Sequence, residues 1–501
     1  MILNDLVHHI GQGVIDKQFL NIGTLPFTGL SQDSRLVKKG DVFVVIPCDQ
    51  AKTHVLDAVK AGAIALIAES DVAEAMQGKV PVPILSVTSS RKALTQAASL
   101  LYPKQPEVIV AVTGTNGKSS VVTFVRQIWQ KLGFSAVSLG TLGVDLSYQA
   151  KLKSDLVSTK LTTPDALSLH QNLDSLAQSN ITHCVFEASS HGLDQYRLHD
   201  VKLSAAAFTN LSQDHLDYHE TMEAYFEAKA KLFMDVLPPD KMAILNMDSP
   251  YFSSLKAMIL GRGQKILSYG VEQPADLRAQ NIHLTSDQIR FDLTIQDKTW
   301  AGLTLNLVGA FQVENVLCAV GLVLACGAPA SKIVEALPYL CSAPGRMELV
   351  GKTYQGSSIF IDYAHTPDAL SRALEALRKH VANDGRLKVV FGCGGNRDAS
   401  KRALMGEIAQ KLADDIYVTD DNPRDEDPAF IRAQILVNCP RAQEIGDRRQ
   451  AMRTAMHTMQ PHDVLLIAGK GHEQGQIIGD RIIPFDDRTE VQAILKEGLK
   501  V

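Results

Sequence analysis

The chain has 501 residues, 45% of them hydrophobic and 21% charged, with a net charge of −5. That length predicts about three domains, and the charge balance gives no reason to expect a nucleic-acid partner or an acidic membrane surface. The seven cysteines include no Cys-x-x-Cys pair, which argues against a disulfide framework or a structural zinc and fits a reducing cytoplasm.

In chain order, Met1-Ile2-Leu3-Asn4-Asp5 lacks the basic start and apolar core of a signal peptide, so a cytoplasmic protein is expected. Val42-Phe43-Val44-Val45-Ile46 and Ile64-Ala65-Leu66-Ile67 predict short strands in a first block, 1–103, which ends where Pro103 and Pro106 punctuate the chain. The apolar run Val108-Ile109-Val110-Ala111-Val112 then leads into Thr113-Gly114-Thr115-Asn116-Gly117-Lys118-Ser119-Ser120. That order predicts a buried strand, a glycine turn and a helix. The glycines bring backbone N–H groups close to a ligand, Lys118 adds a point charge, Ser119 a metal contact, and the helix aims its positive end at the same spot. Together they make a phosphate cradle. Only two residues separate the glycines, fewer than in the common Gly-x4-Gly-Lys-Ser/Thr loop, so a plain glycine turn is the bland alternative.

Further along, Cys184-Val185-Phe186 ends in Glu187-Ala188-Ser189-Ser190-His191-Gly192, and Ala205-Ala206-Ala207-Phe208 ends in a segment that reaches Asp214-His215. A carboxylate at a strand end beside a phosphate loop is well placed for magnesium. Taken alone, Glu187 reads equally well as a surface acid, and His215 reads more readily as a structural histidine than as a ligand. Tyr225-Phe226-Glu227-Ala228-Lys229-Ala230-Lys231-Leu232-Phe233 predicts a helix with an aromatic side, on which both lysines alone read as solvated charges. The apolar stretch from Val316 to Ala330, interrupted by Gly321, Gly327 and Pro329, is too short to span a bilayer. A middle block, 104–341, gives way at Ser342-Ala343-Pro344-Gly345-Arg346 to a last block, 342–501.

Four apolar runs in the last block each end in a polar motif. Ile359-Phe360-Ile361 precedes Asp362-Tyr363-Ala364-His365, and Val389-Val390-Phe391 precedes Gly392-Cys393-Gly394-Gly395-Asn396-Arg397. Ile416-Tyr417-Val418 precedes Thr419-Asp420-Asp421-Asn422-Pro423-Arg424, and Val464-Leu465-Leu466-Ile467 precedes Ala468-Gly469-Lys470-Gly471-His472-Glu473. In an open parallel sheet such motifs converge on one crevice beyond the carboxyl ends of the strands.

With these residues assembled, the chain closely resembles the Mur ligases, ATP-dependent amide-forming enzymes of peptidoglycan precursor synthesis. Their phosphate loop has the short form seen at 114–119. The resemblance extends through Thr162-Thr163-Pro164, Glu187 to Leu193, Asp214-His215-Leu216-Asp217, Ala228-Lys229, Gly345-Arg346-Met347-Glu348, Asp362 to Asp368 and Gly469 to Glu473. Asp33-Ser34-Arg35 and Gly40-Asp41-Val42-Phe43-Val44 match the family's N-terminal block. Two small departures are Ser119-Ser120 in place of Thr-Thr, and Asp49 where other members often have histidine.

The resemblance implies an α/β fold of three domains: a UDP-binding α/β domain, a central P-loop domain with a parallel sheet, and a C-terminal Rossmann-like domain. It is strongest to members that add the third residue to UDP-N-acetylmuramoyl-L-alanyl-D-glutamate, and Asp421-Asn422-Pro423-Arg424 resembles the signature for meso-2,6-diaminopimelate. Lys118, Glu187, His215 and Lys229 are the implied catalytic residues. Gly114, Thr115, Asn116, Gly117, Lys118, Ser119, Ser120, Asn315, Arg346 and Asp362 would contact ATP. Ser119, Glu187, His215 and Lys229, the last as a carbamate, would hold Mg2+. Gln32, Ser34, Asp49, Gln50, Ala51, Thr162, Thr163, Ser190, Gln195 and Arg197 would line the UDP-peptide site. Arg397, Asp421, Asn422, Pro423, Arg424, Gly469 and Glu473 would take the amino acid. The implied enzyme is a monomer without membrane insertion. Rival readings are the lysine-adding member, a folylpolyglutamate synthase-like ligase, which lacks such an N-terminal block, and a nucleotide-gated binding protein without turnover.

Overall fold

Short apolar runs that alternate with helices fold as parallel strands buried on both faces, and the chain does so three times. The computed structural model describes residues 1–14, 24–145, 156–157, 161–285, 287–382 and 384–497. The backbone forms two units: Met1–Ser268 with Gly321–Ala328, and Tyr269–Val320 with Pro329–Val501.

In the first unit, β1 (Gly29–Ser31), β2 (Asp41–Val44), β3 (Ala65–Glu69) and β4 (Ile84–Val87) pair in parallel and in sequence order. Alternation along β2 sends Val42 and Val44 into one core and Phe43 into another, so the sheet carries a core on each face. The phosphate-loop strand β5 (Val108–Thr113) lies in a second sheet with β6 (Ala136–Gly140), β7 (Gly143–Asp145), β8 (His183–Glu187), β9 (Ala205–Phe208) and β10 (Met242–Asn246). Their order is β10-β9-β5-β8-β6-β7, and only the edge strand β7 runs antiparallel. The strand β11 (Ile266–Gly270) straddles the two units.

The second unit begins with an antiparallel meander of β12 (Leu277–Leu284), β13 (Ile289–Ile295) and β14 (Lys298–Leu305). Its main sheet contains β15 (Glu348–Lys352), β16 (Ser358–Asp362), β17 (Leu387–Phe391), β18 (Asp415–Val418), β19 (Gln443–Glu444) and β20 (Val464–Ala468), ordered β15-β16-β20-β17-β18-β19. The four expected apolar runs are the four central strands, all mutually parallel. Their residues again divide by period two. Phe360, Val389, Phe391 and Leu466 enter one core; Ile359, Ile361, Val390, Leu465 and Ile467 enter the other. A hairpin of β21 (Gly475–Ile478) and β22 (Arg481–Pro484) follows. No helix among the described residues is long and apolar enough to cross a membrane.

One buried ion pair fastens this second sheet. Arg448 opens the helix Arg448–His457 and Asp487 opens the helix Asp487–Lys496. The guanidinium donates to both Asp487 oxygens at 2.8 and 2.7 Å and to the Ala468 carbonyl at 3.0 Å, so it ties two helices to the end of β20. Both side chains are fully buried. Arg448→Met is expected to destabilise the second unit by about 3–5 kcal/mol, because it strands a buried carboxylate, and Arg448→Met/Asp487→Leu by clearly less. Calorimetric unfolding of the single and double variants checks this.

Candidate active site

Because β5 lies between β8 and β9, three adjacent carboxyl ends present Glu187, Gly114 and Thr209 side by side. Gly114 has φ +146, and a Cβ there would overlap the Thr209 hydroxyl. The Thr209-Asn210 turn pins the loop. Asn210 accepts from the Thr115 and Asn116 amides at 2.8 and 2.9 Å, and the Thr209 hydroxyl donates to the Asn116 carbonyl at 2.7 Å. Gly117, at φ +87, caps the helix Lys118–Lys131. The amides of Lys118, Ser119 and Ser120 fall in its first turn, where no helical acceptor exists, and with the helix dipole they form an anion cradle.

Ser119 and Glu187 are joined by a 2.9 Å hydrogen bond from the hydroxyl to Oε1. The same carboxylate accepts from the Thr141 amide at 2.9 Å and the Thr141 hydroxyl at 3.2 Å. Glu187 is therefore a buried acid and not a surface one. A hydroxyl and a carboxylate are hard oxygen donors, so this pair fits magnesium. His215 is exposed; its Nε2 lies 3.6 Å from Asp214 Oδ2 and its ring packs near those of His191 and Tyr225, 5.0 and 6.1 Å between centroids, and among the described residues no contact joins it to Glu187. Among the described residues no three His, Cys, Asp or Glu side chains are grouped to hold a metal.

Lys229 is 1% exposed, so the solvated reading fails for it. It lies on the helix Met222–Lys231, which continues as a π-turn, Leu232–Val236. Its Nζ donates to the Gly114 carbonyl at 2.8 Å, the oxygen that also accepts from Lys118 Nζ at 2.9 Å. Burial, and then the Lys118 charge, push its pKa well below the usual lysine value. Lys231 is half-buried and pairs with Asp194 at 2.6 Å.

Of the residues expected at the UDP-peptide site, Thr162, Thr163, Gln195 and Arg197 are brought together. Arg197 donates to the Thr163 carbonyl and to Gln195 Oε1, both at 2.7 Å. Thr163 bridges to the Glu187 carbonyl at 2.8 Å, and Thr162 meets Thr141 at 3.1 Å. Gln32 donates to Asp165 Oδ1 at 2.7 Å, and Asp165 caps the next helix, Ala166–Gln178. Among the described residues, the buried Ser190 hydroxyl has no hydrogen-bond partner. Ser34 opens a short 3-10 turn, while Asp49 and Gln50 are exposed just before the helix Ala51–Ala61; among the described residues no hydrogen bond ties these to the Thr163 network.

In the second unit, Asn315 donates to Gln312 Oε1 at 3.0 Å. Asp362 accepts from the Met347 and Ala364 amides at 2.6 and 2.8 Å, and burial raises its pKa. Arg346 lies over the Tyr363 ring at 4.6 Å. Around β16, β20, β17 and β18 the amino-acid motifs do assemble. Arg424 has φ +50 and is held by backbone bonds to Ile477 and Gly479. Its Nη1 donates to the Gly395 and Asn422 carbonyls at 2.9 and 3.3 Å. Among the described residues, Nε and Nη2 have no protein partner, which leaves one edge of the fork for a ligand carboxylate. A Cβ on Gly395 would overlap the Pro423 carbonyl, and one on Gly469 would crowd Asp421. Asp421 is nearly buried, and that burial raises its pKa. Glu473 accepts from Asn422 Nδ2 at 2.9 Å. Arg397 is exposed.

Sequence reasoning did not assign Thr141, Thr209, Asn210, Tyr225, Arg402 or Lys470. Thr209 and Asn210 end a strand, which was the available signal. Arg402 gives none in sequence, yet it is buried, binds both Glu426 oxygens at 2.9 Å and reaches the Gly394 carbonyl at 3.1 Å.

Residues 112–323 match the Mur ligase middle domain and residues 345–471 the Mur ligase glutamate ligase domain. The UDP-N-acetylmuramoyl-L-alanyl-D-glutamate--2,6-diaminopimelate ligase of Chelativorans sp. (strain BNC1) is 44% identical over 95% of this chain and 96% of its own. That of Caulobacter vibrioides is 46% identical over 93% and 95%. A solved structure of a ligase of the same name is similar with a TM-score of 0.72 at 33% identity, covering 99% of each chain. The loop geometry predicts that Gly114→Ala raises the dissociation constant for a nucleoside triphosphate at least about tenfold, or about 1.4 kcal/mol, because the loop must move off Thr209. Titration calorimetry reads this directly.

Proposed function

The chain belongs to the Mur ligases, and on that premise we propose that it uses ATP to add meso-2,6-diaminopimelate to UDP-N-acetylmuramoyl-L-alanyl-D-glutamate in peptidoglycan precursor synthesis. The observation that carries the choice of amino acid is the set of strand-end loops at β17, β18 and β20, where a half-open arginine fork and a carboxylate lie in one place.

In this reading residues 1–103 bind the UDP moiety, 104–341 bind ATP and 342–501 bind the amino acid. The terminal carboxylate of the dipeptide attacks the γ-phosphorus, and ADP leaves to give an acyl phosphate. The amine of the incoming amino acid then attacks the acyl carbon, and phosphate leaves. Charge grows on phosphoryl oxygens in the first step, so Lys118 and the helix N-terminus supply the chief stabilisation. A magnesium ion held by Ser119 and Glu187, with His215 and a carbamylated Lys229 as the family resemblance implies, would add to it. Thr162, Thr163, Gln195, Arg197 and Gln32 seat the UDP-linked peptide, with Ser34, Asp49, Gln50, Ala51 and Ser190 around them. Asn315, Arg346 and Asp362 contact the nucleotide. Arg424 grips the distal carboxylate of diaminopimelate, with Arg397, Asp421, Asn422, Pro423, Gly469 and Glu473 around the rest of it. The enzyme works as a cytoplasmic monomer.

Support for the modified lysine comes from its setting. Two ammonium groups on one carbonyl oxygen repel, and Lys229 is the more deeply buried, so it is the one that gives up its proton. A neutral amine can add carbon dioxide; the N–C bond forms, a proton leaves nitrogen, and the product is an oxygen ligand. Lys229→Ala is expected to lose at least about 100-fold in turnover, and added short carboxylates to restore part of it. Full activity of Lys229→Ala in a phosphate-release assay would sink the carbamate.

Selectivity follows from the second carboxylate. Lysine would place an ammonium beside Arg424, losing a charge-assisted pair that is worth about 2–5 kcal/mol, or roughly thirty- to several-thousand-fold. Phosphate release measured with ATP, the UDP-linked dipeptide and each amino acid should favour diaminopimelate by that margin. Arg424→Lys should cut its use while the KM for ATP stays put. Equal use of both amino acids would overturn the specificity and leave the ligase chemistry standing.

A further inference from the structure

Lys470 is fully buried, yet the ligation chemistry above gives it no task. It lies two residues past the end of β20, and its Nζ donates to Asn422 Oδ1 and to Glu473 Oε2, each at 3.1 Å. Asn422 closes the triangle, since its Nδ2 donates to the same Glu473 oxygen at 2.9 Å. Asn422 Oδ1 also accepts from the Ile477 amide at 3.0 Å.

The donor inventory gives this arrangement two consequences. An ammonium can only donate, so the Asn422 atom that faces it is the carbonyl oxygen, and the amide is fixed in one orientation. With Oε2 occupied by two donors, Oε1 is the acceptor that Glu473 has to offer; among the described residues no protein group donates to it. Packing alone does not explain Lys470, because an apolar side chain of similar shape fills a buried site at least as favourably as an ion pair.

We propose that Lys470 is the positioning residue of the amino-acid subsite: it locks Asn422 and Glu473 into one unit and aims Glu473 Oε1, as an anion, at the ammonium beside the carboxylate that Arg424 holds. The proposal rests on the diaminopimelate reading. It explains how one end of a diamino diacid is recognised as a zwitterion, with the guanidinium on the carboxylate and the carboxylate of Glu473 on the ammonium. Burial opposes the charge on Glu473, but the Lys470 charge and the two hydrogen bonds outweigh it, and the carboxyl is held below the usual glutamate range. The other charged or titratable neighbours are Asp421, Tyr363, His472 and Arg448. Burial raises the pKa of Asp421, whereas the Lys470 charge and two hydrogen bonds hold that of Glu473 down.

The test uses the full-length enzyme with ATP and the UDP-linked dipeptide saturating. If the unmodified enzyme does not use diaminopimelate, the functional reading falls and this proposal falls with it. If it does, Lys470→Met decides the present claim. The variant should raise the KM for diaminopimelate at least about tenfold and leave the KM for ATP within about twofold. It should also move the acidic limb of kcat/KM for diaminopimelate to higher pH, because Glu473 takes up its proton more readily without the cation. An unchanged KM and limb, or equal rises in KM for every substrate, would overturn the proposal. Lys470→Met/Glu473→Gln removes both charges together, and so survives even where the single variant does not fold. It should match Glu473→Gln within about twofold, and a further tenfold loss would show that Lys470 does not act through Glu473.

Discussion

Two parallel strands cannot be joined by a hairpin. Each must be followed by a crossover that returns the chain to the start of the next, and this forces every strand-to-helix loop to one edge of the sheet. The chain exploits that constraint in both units. In the first, β8, β5 and β9 end together, so a carboxylate, a glycine loop and a Thr-Asn turn become neighbours although Glu187 and Thr209 lie 73 and 95 positions beyond Gly114 in the chain. In the second, β16, β20, β17 and β18 bring four motifs to one edge. No strand has to be irregular to achieve this. Apolar residues fill both faces of each sheet, and the polar residues are left for the one edge where the loops emerge.

Glycine then sets how closely these loops approach. Gly114 lets the phosphate loop lie against Thr209, and Gly140 lets the Glu187 carboxylate turn in toward Ser119. Gly395 admits the Pro423 carbonyl in the same way, which seats the Arg424 turn against its neighbour. In each case the missing side chain is replaced by a functional group from another loop. The hydrogen bonds described at both sites depend on those approaches.

Much of this was legible in the sequence. The four last-block runs are the four central strands, and Val108 to Val112 is the phosphate-loop strand, because an unbroken apolar run bounded by glycine has few other ways to be buried. The strand-end places of Glu187 and Arg424 were legible, while the roles expected of them came from the family resemblance. What stayed hidden depends on tertiary proximity. Thr141 follows a strand with no motif of its own, yet its amide and hydroxyl bind Glu187. Arg402 lies in the first turn of the helix Ser400–Leu412 and reads in sequence like any surface arginine, and only the fold reveals it beneath the Gly394 loop. The neighbours of His215, an aspartate and two aromatic rings, were hidden in the same way.

The two buried lysines show why burial alone does not decide what a charged residue does. Lys229 and Lys470 are equally withdrawn from water, and both sit by glycine loops at strand ends. Lys229 meets a carbonyl oxygen, an aromatic face and a second lysine, and the Asp214 charge does not make up for the loss of hydration, so its pKa is pushed well below the usual lysine value. Lys470 meets a carboxylate and an amide carbonyl, so the same withdrawal is matched by an opposite charge and a fixed acceptor. The first environment fits the proposed reaction of the amine with carbon dioxide, and the second fits the proposed role of a cation that fixes its neighbours. Sequence gives both residues as lysine beside small residues. The difference between them is created by the partner that the fold delivers, Lys118 in one case and Glu473 in the other.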